Sequence, residues 1–313
     1  MRGLVIKSTG SSYIVLLDDG TSVECHIKGN FRIRGIRSTN PVAVGDFVEI
    51  QTLPDGTNWI VEIKERRNYI IRRSTNLSKE SHILAANIDQ VALIVTVNHP
   101  VTSTTFIDRF LTTCEAYRVR ALLIFNKIDL LTEEELAQLA DLRALYESIG
   151  YQTVELSALN FHPSEILPLL AGKTTLLSGN SGVGKSTLLN ALFGRELTRT
   201  GKISDAHDKG MHTTTFSEMY FLSPIEGELE GVSALIDTPG IKGFGAVDMQ
   251  KEEVSHYFPE IFRISRNCRF NNCTHTNEPG CAVQEAVVKG EIAVSRYESY
   301  LSLLGDCDEA KYR

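Results

Sequence analysis

The chain lacks any apolar run approaching the roughly 18 residues that a membrane-spanning helix requires, so no transmembrane helix is expected. Its start, Met1-Arg2-Gly3-Leu4-Val5-Ile6-Lys7, meets polar residues at once and has no apolar core of a secretory signal. A cytoplasmic protein with no membrane partner is the expectation. No internal repeat and no low-complexity tract is visible, which leaves no basis for a repeat array. An excess of positive charge is also missing. Against 39 Asp+Glu stand 32 Lys+Arg, a formal net charge of −7, which taken alone argues weakly against a nucleic-acid partner.

What is present is ordinary in bulk and uneven in detail. The 313 residues are 42% apolar and 23% charged, globular values at a length that suits two or three domains. Residues 1–73 hold 11 Lys+Arg against 8 Asp+Glu, and the remaining 240 hold 21 against 31. The amino-terminal part is therefore where a polyanion would be met. Of six cysteines, three (Cys268, Cys273 and Cys281) crowd into 14 residues with a histidine among them. In a reducing compartment that clustering favours a metal over a disulfide.

Residues 1–70 read as a small all-β barrel of OB or SH3-like type. Ser12–Leu17, Ser22–Ile27 and Trp59–Ile63 have strand character, with turn signals at Asp18-Asp19-Gly20 and Pro54-Asp55-Gly56. Residues 66–83 are polar and basic and read as a linker. Val91–Val97 and Ala121–Phe125 are nearly continuous apolar runs, as in strands buried on both faces. Between them Phe106, Ile107, Phe110, Leu111 and Cys114 recur at helical spacing. Thr132–Ser148 predicts a helix, and Thr174–Ser178 and Val232–Asp237 predict two more strands. This alternation implies an α/β domain over 71–247 with a mostly parallel sheet. Residues 248–313 read as a small, helical, metal-clipped domain.

Two motifs carry the chemistry. Gly179-Asn180-Ser181-Gly182-Val183-Gly184-Lys185-Ser186, followed by Thr187, is a complete phosphate-binding loop between a predicted strand and a predicted helix. Its N–H groups would cradle the β-phosphate, Lys185 would reach the β- and γ-phosphates, and Ser186 would bind Mg²⁺. Asn126-Lys127-Ile128-Asp129 has the form N-K-x-D that guanine-specific proteins use to read the base. Asp129 would accept from guanine N1–H and the 2-amino group, Asn126 would address the guanine edge, and Lys127 would pack along the ring. N-K-x-D ordinarily follows the phosphate loop. Here it precedes it by 53 residues, so the nucleotide fold reads as circularly permuted.

Weaker elements fall into place around these. Ser157-Ala158 resembles the S-A-x element whose backbone N–H meets guanine O6. Asp237-Thr238-Pro239-Gly240 has the form D-x-x-G, with Asp237 holding the Mg²⁺ shell through water and the Gly240 N–H meeting the γ-phosphate. The glycine-rich Gly240–Gly245 suits a switch. The polar segment Ser204–Thr215 is the natural first switch, and Thr214, preferred over Thr213, would complete Mg²⁺ coordination. The Gln that many GTPases place after D-x-x-G is absent, since Ile241 stands there. His212 is the best local substitute for orienting or activating the attacking water, beside the alternative of a merely structural or exposed histidine. Slow unaided hydrolysis follows. In Cys268-x₄-Cys273-x-His275-x₅-Cys281, three thiolates and one imidazole form a closed set for one structural zinc, stapling a domain read as too short for its own core.

Taken together the motifs resemble one family over essentially the whole chain: the circularly permuted bacterial GTPases of small-subunit maturation, called RsgA or YjeQ. The resemblance implies a late assembly factor that binds the 30S subunit and 16S rRNA, with hydrolysis stimulated by that subunit. It places the family's switch histidine on His212. A monomer is expected. The acidic charge would confine RNA contacts to basic patches, such as Arg32, Arg34 and Arg37 with Phe31 nearby, though those arginines could equally be a solvated face. Because Asp237–Gly245 directly precedes the zinc domain, a γ-phosphate-dependent movement could pull on that module. Two other classes remain open: an RNA-binding scaffold in which GTP is a bound stabiliser, and an ATP-dependent P-loop protein, against which N-K-I-D argues.

Overall fold

The computed structural model describes residues 1–9, 12–27, 41–73, 81–197, 217–222, 229, 231–238 and 249–310. The amino-terminal strands are β1 (Arg2–Ser8), β2 (Tyr13–Leu17), β3 (Ser22–Ile27), β4 (Phe47–Thr52) and β5 (Asn58–Ile63). They pair in the cycle β1-β2-β3-β5-β4-β1, closing a five-stranded barrel of OB-like topology. Alternate residues of each strand point inward, and Val5, Tyr13, Val15, Cys25, Val48 and Ile60 fill the interior. The predicted turn at Asp18-Asp19-Gly20 forms because the Asp19 carboxylate accepts from the N–H and hydroxyl of Thr21.

The stretch read as a linker is structured. Strands β6 (Tyr69–Arg73) and β7 (Ser81–Ala86) pair as an antiparallel hairpin. Its polar, basic composition hid apolar positions such as Ile70 and Ile83, which are buried.

The nucleotide domain alternates as expected. In chain order come β8 (Gln90–Val95), α1 (Thr104–Ala116), β9 (Arg120–Phe125), α2 (Glu133–Ile149), β10 (Gln152–Glu155), α3 (Leu167–Leu170), β11 (Thr174–Gly179), α4 (Lys185–Phe193), β12 (Glu218–Phe221) and β13 (Ala234–Asp237). Strands β10-β9-β8-β11-β13 are all parallel, and β12 joins β13 antiparallel. The unbroken apolar run of β8 serves both faces. Val91, Leu93 and Val95 meet α1 and α2, while Ala92 and Ile94 meet α3 and α4. The barrel is not a separate body, because β1 pairs with β12 at Lys7 and Glu218, making one 11-stranded sheet.

The carboxyl-terminal part holds a 3₁₀ helix (Lys251–Tyr257), α5 (Pro259–Ser265), α6 (Ala282–Val288) and α7 (Val294–Ala310). Its attachment to the nucleotide domain is a buried ionic clasp. Arg296 of α7 is 1% exposed. It donates to Asp108 on α1 at 2.8 Å and to both oxygens of Glu260 on α5 at 2.7 and 3.1 Å. Tyr146 of α2 donates to the same Asp108 oxygen at 2.9 Å. One guanidinium thus serves two carboxylates in a buried interface, and removing it would leave both uncompensated. Arg296→Ala is expected to destabilise the protein by about 3–5 kcal/mol, read as a lower urea midpoint and earlier protease release of the carboxyl-terminal domain.

Candidate guanine-nucleotide site and metal centre

Strand β11 runs straight into the phosphate loop, and α4 starts at Lys185, so the loop meets a helix amino terminus as its motif requires. Two glycines are enforced by close approach. A Cβ on Gly179 would lie 2.7 Å from Ile94 O. Gly184 has φ +96°, and a Cβ there would lie 2.3 Å from Asn126 Nδ2. The second of these already brings the two main motifs into contact.

Asn126 sits just past β9 and is 2% exposed. Its amide donates to Val183 O in the phosphate loop at 2.8 Å, and its carbonyl accepts from the Ala158 N–H at 2.9 Å. One side chain therefore joins N-K-x-D, the S-A element and the phosphate loop. The Ala158 N–H is engaged in this lock. Lys127 follows in the left-handed region at φ +66° and donates to His99 O at 2.5 Å and Gly182 O at 2.6 Å. Burial lowers its pKa against the opposing pull of Asp129. Asp129 lies exposed in the short 3₁₀ turn Ile128–Leu130. Ser157 and Ala158 are buried just past β10, whose pairing with β9 brings their segment to Asn126.

The phosphate end is equally converged. Strand β13 lies beside β11 and delivers a fully buried Asp237 to the loop. Lys185 Nζ donates to Asp237 Oδ1 at 2.8 Å and to Thr238 O at 2.7 Å. Asn180, Ser186 and Thr187 are half-buried, Ser181 and Gly182 are exposed, and Val183 is buried. A hydroxyl at Ser186 and a carboxylate at Asp237 are hard oxygen donors suited to Mg²⁺. His212, Thr213, Thr214, Gly240, Ile241 and the barrel residues Phe31, Arg32, Arg34 and Arg37 lie outside the described residues. Sequence reasoning missed His99, whose carbonyl accepts from Lys127, and Asn98 and Glu135, which bond in series behind it; the T-x-x-E capping box Thr132–Glu135 is the one local signal among them.

The four predicted metal ligands meet. The donor atoms of Cys268, Cys273, His275 and Cys281 all lie within 4.8 Å of one another. His275 Nδ1 is 3.6 Å from Cys268 Sγ and 3.5 Å from Cys281 Sγ. A tetrahedral zinc with bonds of about 2.0–2.3 Å spaces its donors in that range. Burial holds the imidazole below its ordinary pKa, in the neutral form a ligand needs, against the pull of Glu278. Burial also pushes the Cys273 thiol up to about 12, so that thiol needs a cation beside it to ionise. Tyr297 and Tyr300 hydroxyls donate to the carbonyls of His275 and Thr274, fixing the ligand loop. Contrary to the reading from length, this domain has a core of its own. Val254, Phe258, Ile261, Val283, Ile292, Tyr300, Leu303 and Leu304 form a buried cluster that includes Cys281. Those apolar positions are spread over the 3₁₀ helix, α5, α6, α7 and the residues between them, and show no single periodicity. Cys25 and Cys114 are buried core residues, and Cys307 is half-buried.

A parallel sheet whose N-K-x-D strand precedes its phosphate-loop strand, fused to a barrel and a Cys₃His domain, defines a circularly permuted P-loop GTPase. Residues 63–247 match the RsgA GTPase family model and residues 2–60 the RsgA N-terminal domain. The small ribosomal subunit biogenesis GTPase RsgA of Phocaeicola vulgatus is 59% identical over 314 residues, covering 100% of this chain and 99% of that one. The Porphyromonas gingivalis protein of the same name is 59% identical over 319 residues, with the same coverage. Among solved structures, YjeQ from Thermotoga maritima has a TM-score of 0.72 at 32% identity, covering 98% of both chains. YloQ, a circularly permuted GTPase, has a TM-score of 0.71 at 29% identity, covering 100% of this chain and 96% of that one. The chain belongs to the RsgA GTPase family of GTP-hydrolysing enzymes.

Two outcomes check the site. Asp129→Asn replaces an acceptor with an amide donor, so guanine nucleotides should bind about 10-fold or more weaker while xanthine nucleotides, which carry a carbonyl in place of the 2-amino group, gain. Competition of GDP and XDP against a fluorescent nucleotide reads both. The metal centre should hold one zinc per chain by atomic absorption. Cys281→Ser should lose it and lower the thermal midpoint by about 5 °C or more.

Proposed function

We propose that this GTPase is a late assembly factor of the small ribosomal subunit, working in the cytoplasm as a monomer on the 30S particle and its 16S rRNA. The observation that carries the nucleotide part is the Asn126 lock, which draws three motif segments into one pocket. The ribosomal part is supported by full-length similarity to proteins named for small-subunit biogenesis. Among the described residues no helix is long and apolar enough to cross a membrane, which accords with a factor that works on ribosomes. The three-domain division at 1–70, 71–247 and 248–313 is retained in this reading.

The residue roles in this reading are those of the motifs. Asp129 accepts from guanine N1–H and the 2-amino group, beside Asn126 and Lys127. The loop Gly179–Thr187 wraps the phosphates, with Lys185 moving from Asp237 onto the β- and γ-oxygens. Ser186, Thr214 and Asp237 (through water) would hold Mg²⁺, which when bound neutralises charge developing on the phosphate oxygens. Gly240 N–H meets the γ-phosphate, and His212 orients or deprotonates the attacking water. Zinc at Cys268, Cys273, His275 and Cys281 is structural, because four protein ligands leave no open position. Hydrolysis gives GDP and phosphate, and the residues after Asp237 relay the loss of the γ-phosphate towards the zinc domain.

GTP turnover with and without 30S subunits tests this. The unaided rate should be on the order of 10⁻⁴ to 10⁻² s⁻¹, with a large increase on adding the subunit. His212→Ala should lower the stimulated rate about 100-fold or more. An unchanged stimulated rate in that variant removes His212 from the mechanism. Absence of any stimulation favours the scaffold reading that Ile241 keeps open.

A further inference from the structure

The Lys127 ammonium is held by two carbonyls from different segments. Gly182 O belongs to the phosphate loop, but His99 O, at 2.5 Å, lies between β8 and α1 in a stretch that matches no nucleotide motif. Lys127 depends on these partners for two reasons. Its φ of +66° is a strained conformation for a residue with a side chain, and such residues persist only where the surroundings over-determine them. Its ammonium is also partly desolvated, so unpaired it would be costly.

The His99 carbonyl is itself fixed by a chain of hydrogen bonds. At the base of the segment Thr102 N donates to Thr96 O at 3.0 Å, Thr96 N to Thr102 Oγ1 at 3.1 Å, and Thr96 Oγ1 to Pro100 O at 2.5 Å. The tip is held from outside. Asn98 Oδ1 accepts from the His99 N–H at 2.9 Å, and Asn98 Nδ2 donates to Glu135 Oε1 at 2.5 Å. Glu135 stands in the first turn of α2, eight positions beyond Lys127, and its other oxygen accepts from the Thr132 N–H at 2.9 Å and hydroxyl at 3.1 Å. The Thr132 N–H foremost, and then the Asn98 amide, hold the Glu135 carboxyl below its usual range, so it is a charged acceptor at neutral pH. Pro100 sits against the phosphate loop, where a Cβ on Gly182 would be 3.5 Å from its Cδ.

We propose that Asn98 and Glu135 are positioning residues for guanine-nucleotide binding: through the His99 backbone they place the carbonyl that, with Gly182 O, locks Lys127 between the base-reading motif and the phosphate loop. This rests on the reading of Asn126–Asp129 as the guanine site. Glu135 is more than a helix cap in this role. The cap uses only Oε2, whereas Oε1 reaches a segment 37 residues away. A glutamine at 135 has a single acceptor oxygen and cannot serve both Asn98 and Thr132.

The experiment measures dissociation constants for a fluorescent GDP analogue, thermal midpoints and GTP hydrolysis in Asn98→Ala, Glu135→Gln, their double variant and Asp129→Ala. Asn98→Ala and Glu135→Gln should each weaken GDP about fivefold, the worth of one net hydrogen bond. They should raise KM for GTP to match, leave kcat within about twofold and keep near-wild-type midpoints. The double variant should be no weaker than the worse single, because both changes break one tether. Wild-type affinity in both single variants, with Asp129→Ala weakened, overturns the proposal. So do losses that add in the double variant. Wild-type affinity in Asp129→Ala instead sinks the guanine-site reading itself.

Discussion

Everything at the nucleotide site depends on the buried amide of Asn126. Its donor goes to Val183 O, 57 residues away, and its acceptor takes the Ala158 N–H, 32 residues away. A buried primary amide cannot leave either function unmet without a penalty of order 1–3 kcal/mol, so both partners are held at hydrogen-bond distance. The same amide also enforces glycine at 184, because any side chain there would occupy its space. A lock of this kind is indifferent to connectivity. It requires three backbone segments in one place, not in one order along the chain, and that explains how a permuted sequence rebuilds the same pocket.

The surroundings make that pocket part of a larger stiff body. A parallel sheet ending in the short antiparallel β12 would expose an open edge, but β1 of the barrel covers it, and the Lys7–Glu218 ion pair at 2.9 Å sits on the seam. Asp237 at the end of β13 is therefore only two strands from the barrel. The Cys₃His domain is anchored by Arg296 to Asp108 of α1, the helix that follows the Asn98–Pro100 segment. Both outer domains therefore join elements that lead to the nucleotide motifs. That connection is hydrogen-bonded backbone on one side and a buried ion network on the other.

Much of this was legible along the chain. The phosphate loop, N-K-I-D and the zinc spacing are local patterns whose chemistry dictates residue type at fixed separation. The strands Val91–Val95 and Leu122–Phe125 are legible because burial on both faces demands unbroken apolar runs. The hairpin Tyr69–Ala86 was not, because Arg72, Arg73 and Lys79 mask its few buried positions. The core of the Cys₃His domain was missed because Val254, Ile261, Val283 and Leu303 each sit in a different element.

The sequence by itself determined the permutation, the nucleotide motifs, the Cys₃His donor set and the alternation of strands and helices, since each is written in neighbours along the chain. Only the tertiary structure decided that Asn126 clamps the loop, that Asn98 reaches Glu135, that Arg296 answers Asp108 and Glu260, and that the barrel and nucleotide domain share one sheet. Those pairings join residues tens to more than two hundred positions apart. A side chain satisfied at such range leaves no periodicity behind, because its partner is chosen by packing in space rather than by spacing in sequence.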